Sequence, residues 1–262
     1  ADLLNIELKG MILLQHGIFS FANTAKESYS RMIKFVQKAE KSLPRKVDLS
    51  LKKQTKIDNI DVDSISVIPY IRGLLIKELK KYNLSGRCIF DIRNSLSISE
   101  LISKPEINEL SSRGVATPDH VIRTKSKPLV IDLSKEKKEN LEKIIIKSIQ
   151  NYQDDYKKYF NRNKKYNSSA SMLDPYPRLI LIKGIGIFST GPSFKDAKIA
   201  MDVGLNSLSV ILQASKFGTF KSIPEKEIFR MEYWPLELAK IKPSSQKLKG
   251  QVAVVTGGLG GI

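Results

Sequence analysis

Cysteine, histidine and tryptophan are scarce in this chain of 262 residues, which contains one cysteine, two histidines and one tryptophan. A single cysteine excludes an internal disulfide and fits the reducing cytosol. Two histidines cannot complete a three-histidine metal site without a third ligand. No run approaches the roughly 20 apolar residues that a membrane helix needs, and no signal peptide is visible in this sequence. We therefore expect a cytoplasmic protein with no membrane partner.

Acidic residues are also few, since 27 Asp and Glu face 44 Lys and Arg, which gives a net charge of +17. Such a charge raises the hypothesis of a nucleic-acid binder, which predicts strongly salt-dependent binding. However, the lysines are spread along the chain, and the densest run, residues 135–165, is interleaved with acids such as Glu139 and Asp154, as in a solvated helix. No zinc-finger, KH or RRM signature is present. We expect no nucleic-acid partner.

With 41% hydrophobic and 27% charged residues, the chain has globular composition and is long enough for one large or two small domains. Cys88 lies in the strand-like run R-C-I-F-D-I, which indicates a small core residue rather than a nucleophile. Trp234 stands between Tyr233 and Pro235, and we expect it to be a packing anchor rather than a ligand platform.

An internal repeat is the next feature of the sequence. Residues 11–29 and 180–198 align when Gly17-Ile18-Phe19-Ser20 is placed on Gly186-Ile187-Phe188-Ser189. Each segment then reads as an apolar strand, a tight glycine turn, a short polar link and a helix. The alignment predicts two copies of one strand-turn-helix unit.

The two copies differ at one position that bears on chemistry. His16 in the first copy falls opposite Ile185 in the second, and an alkyl group can neither coordinate a metal nor move a proton. If both copies share a fold, only the first keeps this chemistry. In the first copy, Thr24 and Glu27 form a capping box that predicts a helix start, and Pro44 forbids the helix to continue.

The middle of the chain alternates between helical and strand-like patterns, which indicates an α/β fold. Helices are predicted at residues 67–81, 106–112, 135–161 and 195–216, strands at 87–92, 128–133 and 179–182, and an exposed polar loop at 161–171. Residues 243–249 are the best linker candidate.

His120 follows Thr117-Pro118-Asp119 and precedes Arg123 and Lys125. The default interpretation is a hydrogen-bonded structural histidine. An alternative is a ring and two cations placed near an anionic substrate or phosphate. Nothing around His120 supplies a second histidine at H-x-H spacing, so a metal role is less favoured.

The chain ends on a strand-like run, residues 252–255, followed by a glycine turn that contains Thr256, Gly257 and Gly261 and then Ile262. Glycines let backbone N–H groups approach a pyrophosphate closely. The order T-G-x-x-x-G-I resembles the nucleotide loop of short-chain dehydrogenases/reductases, which implies a site for NAD or NADP at these four residues. The residue that selects between the two lies about 20 positions further on. The alternative is an ordinary glycine turn after a strand.

A second resemblance concerns the opening residues. The run L-L-Q-H-G-I-F-S-F-A-N-T-A-K-E-S-Y and the helix after it resemble the closing segment of the class II aldolase/adducin-type domain. The resemblance implies that His16 is the last zinc ligand, while the H-x-H pair and the catalytic acid of that family are not in this chain. The catalytic residues therefore remain unknown.

Three later runs extend this resemblance over the whole chain: residues 113–125, 174–188 and 231–240 resemble a bifunctional fusion of such an aldolase with a short-chain dehydrogenase. Members of that family are commonly assigned as rhamnulose-1-phosphate aldolase joined to an alcohol or lactaldehyde dehydrogenase. The implied fold is a class II aldolase/adducin-like layered α/β fold followed by the first strand of a Rossmann-like domain.

The resemblance divides the chain into the end of an aldolase domain (1–45), a second, degenerate aldolase-like segment (46–242) and a linker with the start of a dehydrogenase domain (243–262). It implies that the chain is a fragment of a homo-oligomeric enzyme of sugar catabolism. This parent enzyme would cleave a phosphorylated ketose with Zn²⁺ and oxidise or reduce the resulting aldehyde with NAD(P). The fragment itself is expected to be inactive. The alternative is a non-catalytic adducin-like scaffold.

Overall fold

The computed structural model describes residues 8–14, 17–43, 62–80, 88–133, 140–241, 251 and 253–256. Within them it has six strands, β1 Gly10–Leu13, β2 Gly17–Ser20, β3 Ile89–Arg93, β4 Leu129–Asp132, β5 Leu179–Lys183 and β6 Gly186–Gly191. The α-helices are α1 Ala25–Ser42, α2 Val62–Lys80, α3 Leu96–Ile102, α4 Ile107–Ser111, α5 Val121–Thr124, α6 Leu141–Asn163, α7 Phe194–Ala214, α8 Glu225–Glu232 and α9 Pro235–Ala239. None of these helices is long and apolar enough to cross a membrane.

A four-stranded mixed sheet with the order β3-β6-β5-β4 forms the centre of the larger part of the fold. Strand β5 runs parallel to β4 and antiparallel to β6, and β6 runs antiparallel to β3. The run Leu179 to Ile182 is apolar throughout because helices cover both faces of the sheet. One face packs against α2 and α6, and the other against α3, α4 and α7.

The predicted repeat is confirmed, with a constant offset of 169 residues between the copies. Strands β1 and β2 form a hairpin in which Leu13 faces Gly17, and β5 and β6 form a hairpin in which Ile182 faces Gly186. The glycines that open β2 and β6 both have positive φ, 149° at Gly17 and 151° at Gly186. Neither conformation suits a residue with a side chain, so glycine is needed at both turns.

The helix that follows each hairpin is fixed by matching hydrogen bonds. The Ser20 hydroxyl donates to the Ser28 carbonyl at 2.8 Å, and the Ser189 hydroxyl donates to the Ala197 carbonyl at 2.6 Å. Thr24 caps α1 by accepting from the Glu27 N–H, and Ser193 caps α7 in the same way. The two copies therefore share the strand register, the glycine that opens the second strand and the start of the helix.

Most predicted elements of the middle segment are present with shifted ends, and Cys88 is buried in the core as expected. The residues after β5, predicted as a glycine turn and a short polar link, form the strand β6. The predicted loop at 161–171 begins as the end of α6 and a 3₁₀ turn, Lys164–Tyr166. The prediction that Trp234 is a packing anchor is wrong, because its side chain is nearly half exposed, whereas its neighbour Tyr233 is buried.

The buried strand predicted at 252–255 is not formed in the residues described there. Residues 253–255 have no strand assignment, and Val254 and Val255 are exposed. A strand is stable only when neighbouring strands take up its backbone hydrogen bonds, and no described strand pairs with this one.

Candidate functional site

The position equivalent to the predicted metal ligand lies in the core of the second copy. Ile185 occupies the turn between β5 and β6 and is buried in the cluster that α2 and α6 form with the sheet. Among the described residues, no three His, Cys, Asp or Glu side chains lie close enough to hold a metal ion. The described part of the second copy therefore offers no group of three ligands for a zinc ion. His16 itself lies outside the described residues.

His120 ends the 3₁₀ turn Pro118–His120, and its Nδ1 lies 3.1 Å from the Ser207 hydroxyl on α7. This contact agrees with the predicted hydrogen-bonded histidine. The alternative, an anion site shared with two cations, stays a prediction, and in this structure the two cations face separate carboxylates. Arg123 lies 3.7 Å from Asp196, and Lys125 lies 3.3 Å from Glu232.

Only one of the predicted nucleotide-binding residues is described. Thr256 lies in an exposed turn, and Gly257, Gly261 and Ile262 lie outside the described residues. The nucleotide site therefore stays a prediction.

Lys125 is the centre of a buried polar cluster that the sequence reasoning did not identify. Its Nζ donates to the Tyr156 hydroxyl at 2.9 Å and to Glu232 Oε1 at 3.3 Å, and it lies 4.1 Å from the centroid of the Tyr156 ring. The side chains of Lys125 and Glu232 are only 4% and 1% exposed. Lys125 has φ 61°, a left-handed conformation that a residue with a side chain rarely adopts.

Two tyrosines extend the hydrogen-bond network beyond Lys125 and Glu232. The Tyr156 hydroxyl donates to Glu232 Oε1 at 2.7 Å and lies 2.8 Å from the Tyr233 hydroxyl, which accepts from the Leu173 N–H at 3.3 Å. Burial and the charge of Glu232 raise the pKa of Tyr156, so this hydroxyl stays protonated and donates. Lys125 and Tyr156 thus donate to the same oxygen of Glu232, Oε1, while the buried Oε2 has no hydrogen-bond partner among the described residues.

A second ion pair lies close to the first. Arg178 donates to Asp174 Oδ2 at 2.6 Å. Burial alone would raise the pKa of Asp174, but the charges of Arg178 and Lys125 outweigh burial and lower it to about 2. Burial lowers the pKa of Lys125, whereas the charges of Glu232 and Asp174 oppose that change. The two cations and two carboxylates balance in charge.

The Lys125 cluster, defined as Lys125, Tyr156, Asp174, Arg178, Glu232 and Tyr233, joins distant parts of the chain. It brings together the runs 113–125, 174–188 and 231–240, which carried the sequence resemblance, and adds Tyr156 from α6. One sequence feature could have indicated this cluster: charged residues stand beside prolines and aromatic residues in the runs D-P-Y-P-R and M-E-Y-W-P.

The contacts of this cluster link three segments of the chain in the interior. The Lys125 amine contacts a hydroxyl, a carboxylate and an aromatic face within the interior. A neighbouring cavity, lined among others by Thr124, Lys125, Gly204 and Ser207, has a volume of about 20 Å³. That volume holds about one water molecule and is too small for a sugar phosphate.

The chain is similar to a known protein family over most of its length. The family model described as aldolase class II, second domain, matches residues 63–241. A Bacillus subtilis (strain 168) protein named "Uncharacterized oxidoreductase YuxG" is 30% identical over 262 residues, which cover 96% of this chain and 37% of that protein. The chain thus spans little more than a third of the length of this relative. No solved structure matches the chain.

Proposed function

Because the chain belongs to the family of class II aldolase second domains, we propose that it is part of an enzyme in which a class II aldolase is joined to an oxidoreductase. Two observations support this proposal. The oxidoreductase in the name of the Bacillus subtilis relative agrees with the nucleotide loop predicted at Thr256, Gly257, Gly261 and Ile262. The repeated hairpin-and-helix unit agrees with two aldolase-type domains in succession.

The observation that carries the proposal is the equivalent strand register of the two hairpins combined with the exchange of His16 for Ile185 in the sequence. An imidazole at this turn is suited to bind a metal, whereas Ile185 is part of the apolar core. We therefore assign metal chemistry to the first copy alone. The domain that follows, including the Lys125 cluster, is a non-catalytic framework between the two activities.

The substrate class in this proposal is a ketose 1-phosphate such as rhamnulose 1-phosphate, cleaved to dihydroxyacetone phosphate and lactaldehyde. Zinc, when bound, would polarise the ketose carbonyl and stabilise the enediolate. His16 is the one residue of this chain that we propose as its ligand. The oxidoreductase part would then oxidise or reduce the aldehyde with NAD or NADP.

The test uses the full-length protein, because the remaining metal ligands of the family are not in this chain. The two histidines provide a matched pair of variants, His16→Ala and His120→Ala. We expect His16→Ala to lose bound zinc and at least a hundredfold of the cleavage rate, measured as dihydroxyacetone phosphate formed. His120→Ala should retain both, since its ring contacts Ser207 within the second domain.

A different result would overturn the assignment. If His16→Ala keeps its zinc content and cleavage rate, His16 is not a ligand. If the unaltered full-length protein neither binds zinc nor cleaves a ketose 1-phosphate, the non-catalytic adducin-like scaffold becomes the better hypothesis. That scaffold agrees with the second copy, in which the equivalent of His16 is a core isoleucine.

A further inference from the structure

The β1–β2 hairpin exposes residues whose equivalents in the second copy are fully buried. Met11, Ile12 and Leu13 are 49%, 72% and 42% exposed. Their counterparts at the same register, Ile180, Leu181 and Ile182, are all 0% exposed. An exposed run of apolar side chains of this kind marks a surface that is covered by another element or partner.

The second copy shows which elements provide that cover. There, β5 has β4 on its outer edge as a parallel neighbour, and β6 has β3 on its outer edge as an antiparallel neighbour. Ile180 and Ile182 pack in one cluster with residues of α2 and α6. In the first copy, by contrast, the described strands that pair are β1 and β2 alone, so both outer edges are open among the described residues.

The order of elements identifies the source of the missing cover. In the second copy, β3, β4 and α6 all precede the hairpin along the chain. A parallel neighbour requires a crossover of about a dozen residues or more, and the helix α6 alone spans 23 residues. The nine residues before β1 are too few for these elements.

We propose that the polypeptide preceding this sequence in the full-length protein docks on the β1–β2 hairpin, with one strand parallel to β1, one strand antiparallel to β2 and a helix over Met11 and Leu13. The length of the Bacillus subtilis relative, of which this chain covers 37%, leaves ample sequence for such a domain. The proposal rests on the two-domain organisation proposed above, but it does not require zinc, a substrate or activity.

Hydrogen–deuterium exchange tests this docking directly. In a hairpin with open edges, the amides of β1 and β2 that point away from the partner strand exchange with water. In the centre of a sheet they are protected. We expect these outward amides to exchange at least tenfold more slowly in the full-length protein than in the 262-residue chain. The amides of β5 and β6 serve as an internal reference, because their outer neighbours are present in both.

Two outcomes would overturn the proposal. Equally fast exchange of the outward amides in both proteins would mean that nothing covers the hairpin edges. Protection that appears in the 262-residue chain itself, and rises with protein concentration alongside dimerisation in sedimentation, would identify another molecule of this chain as the occupant.

A pair of lysine substitutions in the full-length protein sharpens the test. Leu13→Lys places a charge where the equivalent Ile182 is buried, and it should abolish the protection of the outward amides. Leu14→Lys is the control, because the equivalent residue in the second copy is already Lys183. Equal exchange in the two variants would contradict docking at Leu13. If Leu13→Lys fails to fold, the comparison of the two unaltered proteins still decides the proposal.

Discussion

Leu179 on β5 lies so close to Gly204 on α7 that a methyl group added at Gly204 would overlap its side chain. The first copy shows the reverse arrangement at equivalent positions. There the strand carries the glycine, and a Cβ added at Gly10 would lie 2.5 Å from the ring of Phe35 on α1. In the second copy the strand carries the large side chain and the helix carries the glycine, and in the first copy the two are exchanged. The exchange lets each helix pack closely on its hairpin, as dense interiors require.

The first prediction concerns this contact. We expect Gly204→Ala to destabilise the chain by about 1–3 kcal/mol, because an added methyl group in a packed contact forces side chains or backbone to move. Gly73→Ala is the matched control, since Gly73 is also helical and a Cβ there would meet nothing within 4 Å. That control should gain up to about 1 kcal/mol from helix propensity. Urea unfolding measures both, and equal effects would contradict the overlap.

The second prediction concerns the Lys125 cluster. Lys125→Met keeps an unbranched side chain of similar length but leaves Glu232 as a buried charge without its cation. We expect a loss of about 3–5 kcal/mol in the free energy of unfolding, the usual cost of breaking one side of a buried ion pair. The positive φ at this position is strained for either residue, so the backbone does not account for the loss. Denaturant titration at pH 7 is the measurement.

An exposed ion pair supplies the control for that experiment. Arg230 lies 3.1 Å from Glu227, and the two side chains are 54% and 37% exposed. Water screens such a pair, so Arg230→Met should change stability by less than about 1 kcal/mol. If Lys125→Met costs no more than Arg230→Met, the cluster does not clamp the three segments of the chain.

The third prediction is a pH dependence that originates at Asp174. Its pKa is lowered from 3.8 to about 2 in the folded chain, so the folded state favours the charged form. The resulting stability is complete above the unfolded pKa and is lost as the pH falls from about 4 to about 2. A shift of this size corresponds to about 2 kcal/mol.

Asp174→Asn tests this assignment. The variant should be less stable than the unaltered chain at pH 7, because Arg178 loses its carboxylate partner. The difference between the two proteins should then shrink as the pH falls below 4, where Asp174 itself becomes protonated. Thermal unfolding monitored by circular dichroism at several pH values measures this difference. A difference that stays constant down to pH 2 would assign the acid sensitivity to other groups.

The repeat could be predicted from the sequence because its determinants are local. Gly17 and Gly186 are required by backbone conformation, and Thr24 caps a helix that begins one residue later. The strands β2 and β6 were missed because strand identity depends on pairing between strands, and β6 pairs both with β5 and with β3, about 100 residues earlier in the chain.

The Lys125 cluster could not be predicted for a related reason. Lys125, Tyr156 and Glu232 are separated by up to 107 residues, and their contacts exist only once the sheet and α6 have formed. In the sequence alone they are ordinary charged and aromatic residues of a lysine-rich chain. The local pattern marked the segments that meet, but not the atoms that bond.

The last prediction concerns the position at which the two copies differ. Ile185→His restores in the second copy the residue type that the first copy carries at position 16. The new imidazole would be buried among apolar side chains, and we expect a loss of roughly 2–4 kcal/mol from lost packing and an unpartnered polar group. Ile185→Leu is the control, with a cost below about 1.5 kcal/mol.

Thermal unfolding of Ile185→His with and without a tenfold excess of zinc tests whether the new imidazole binds the metal. We expect no zinc-dependent rise in the melting temperature of Ile185→His, because the described residues offer no group of three ligands. A clear rise would mean that the second domain retains the remaining ligands of a metal site, and that it lost its chemistry through this one substitution.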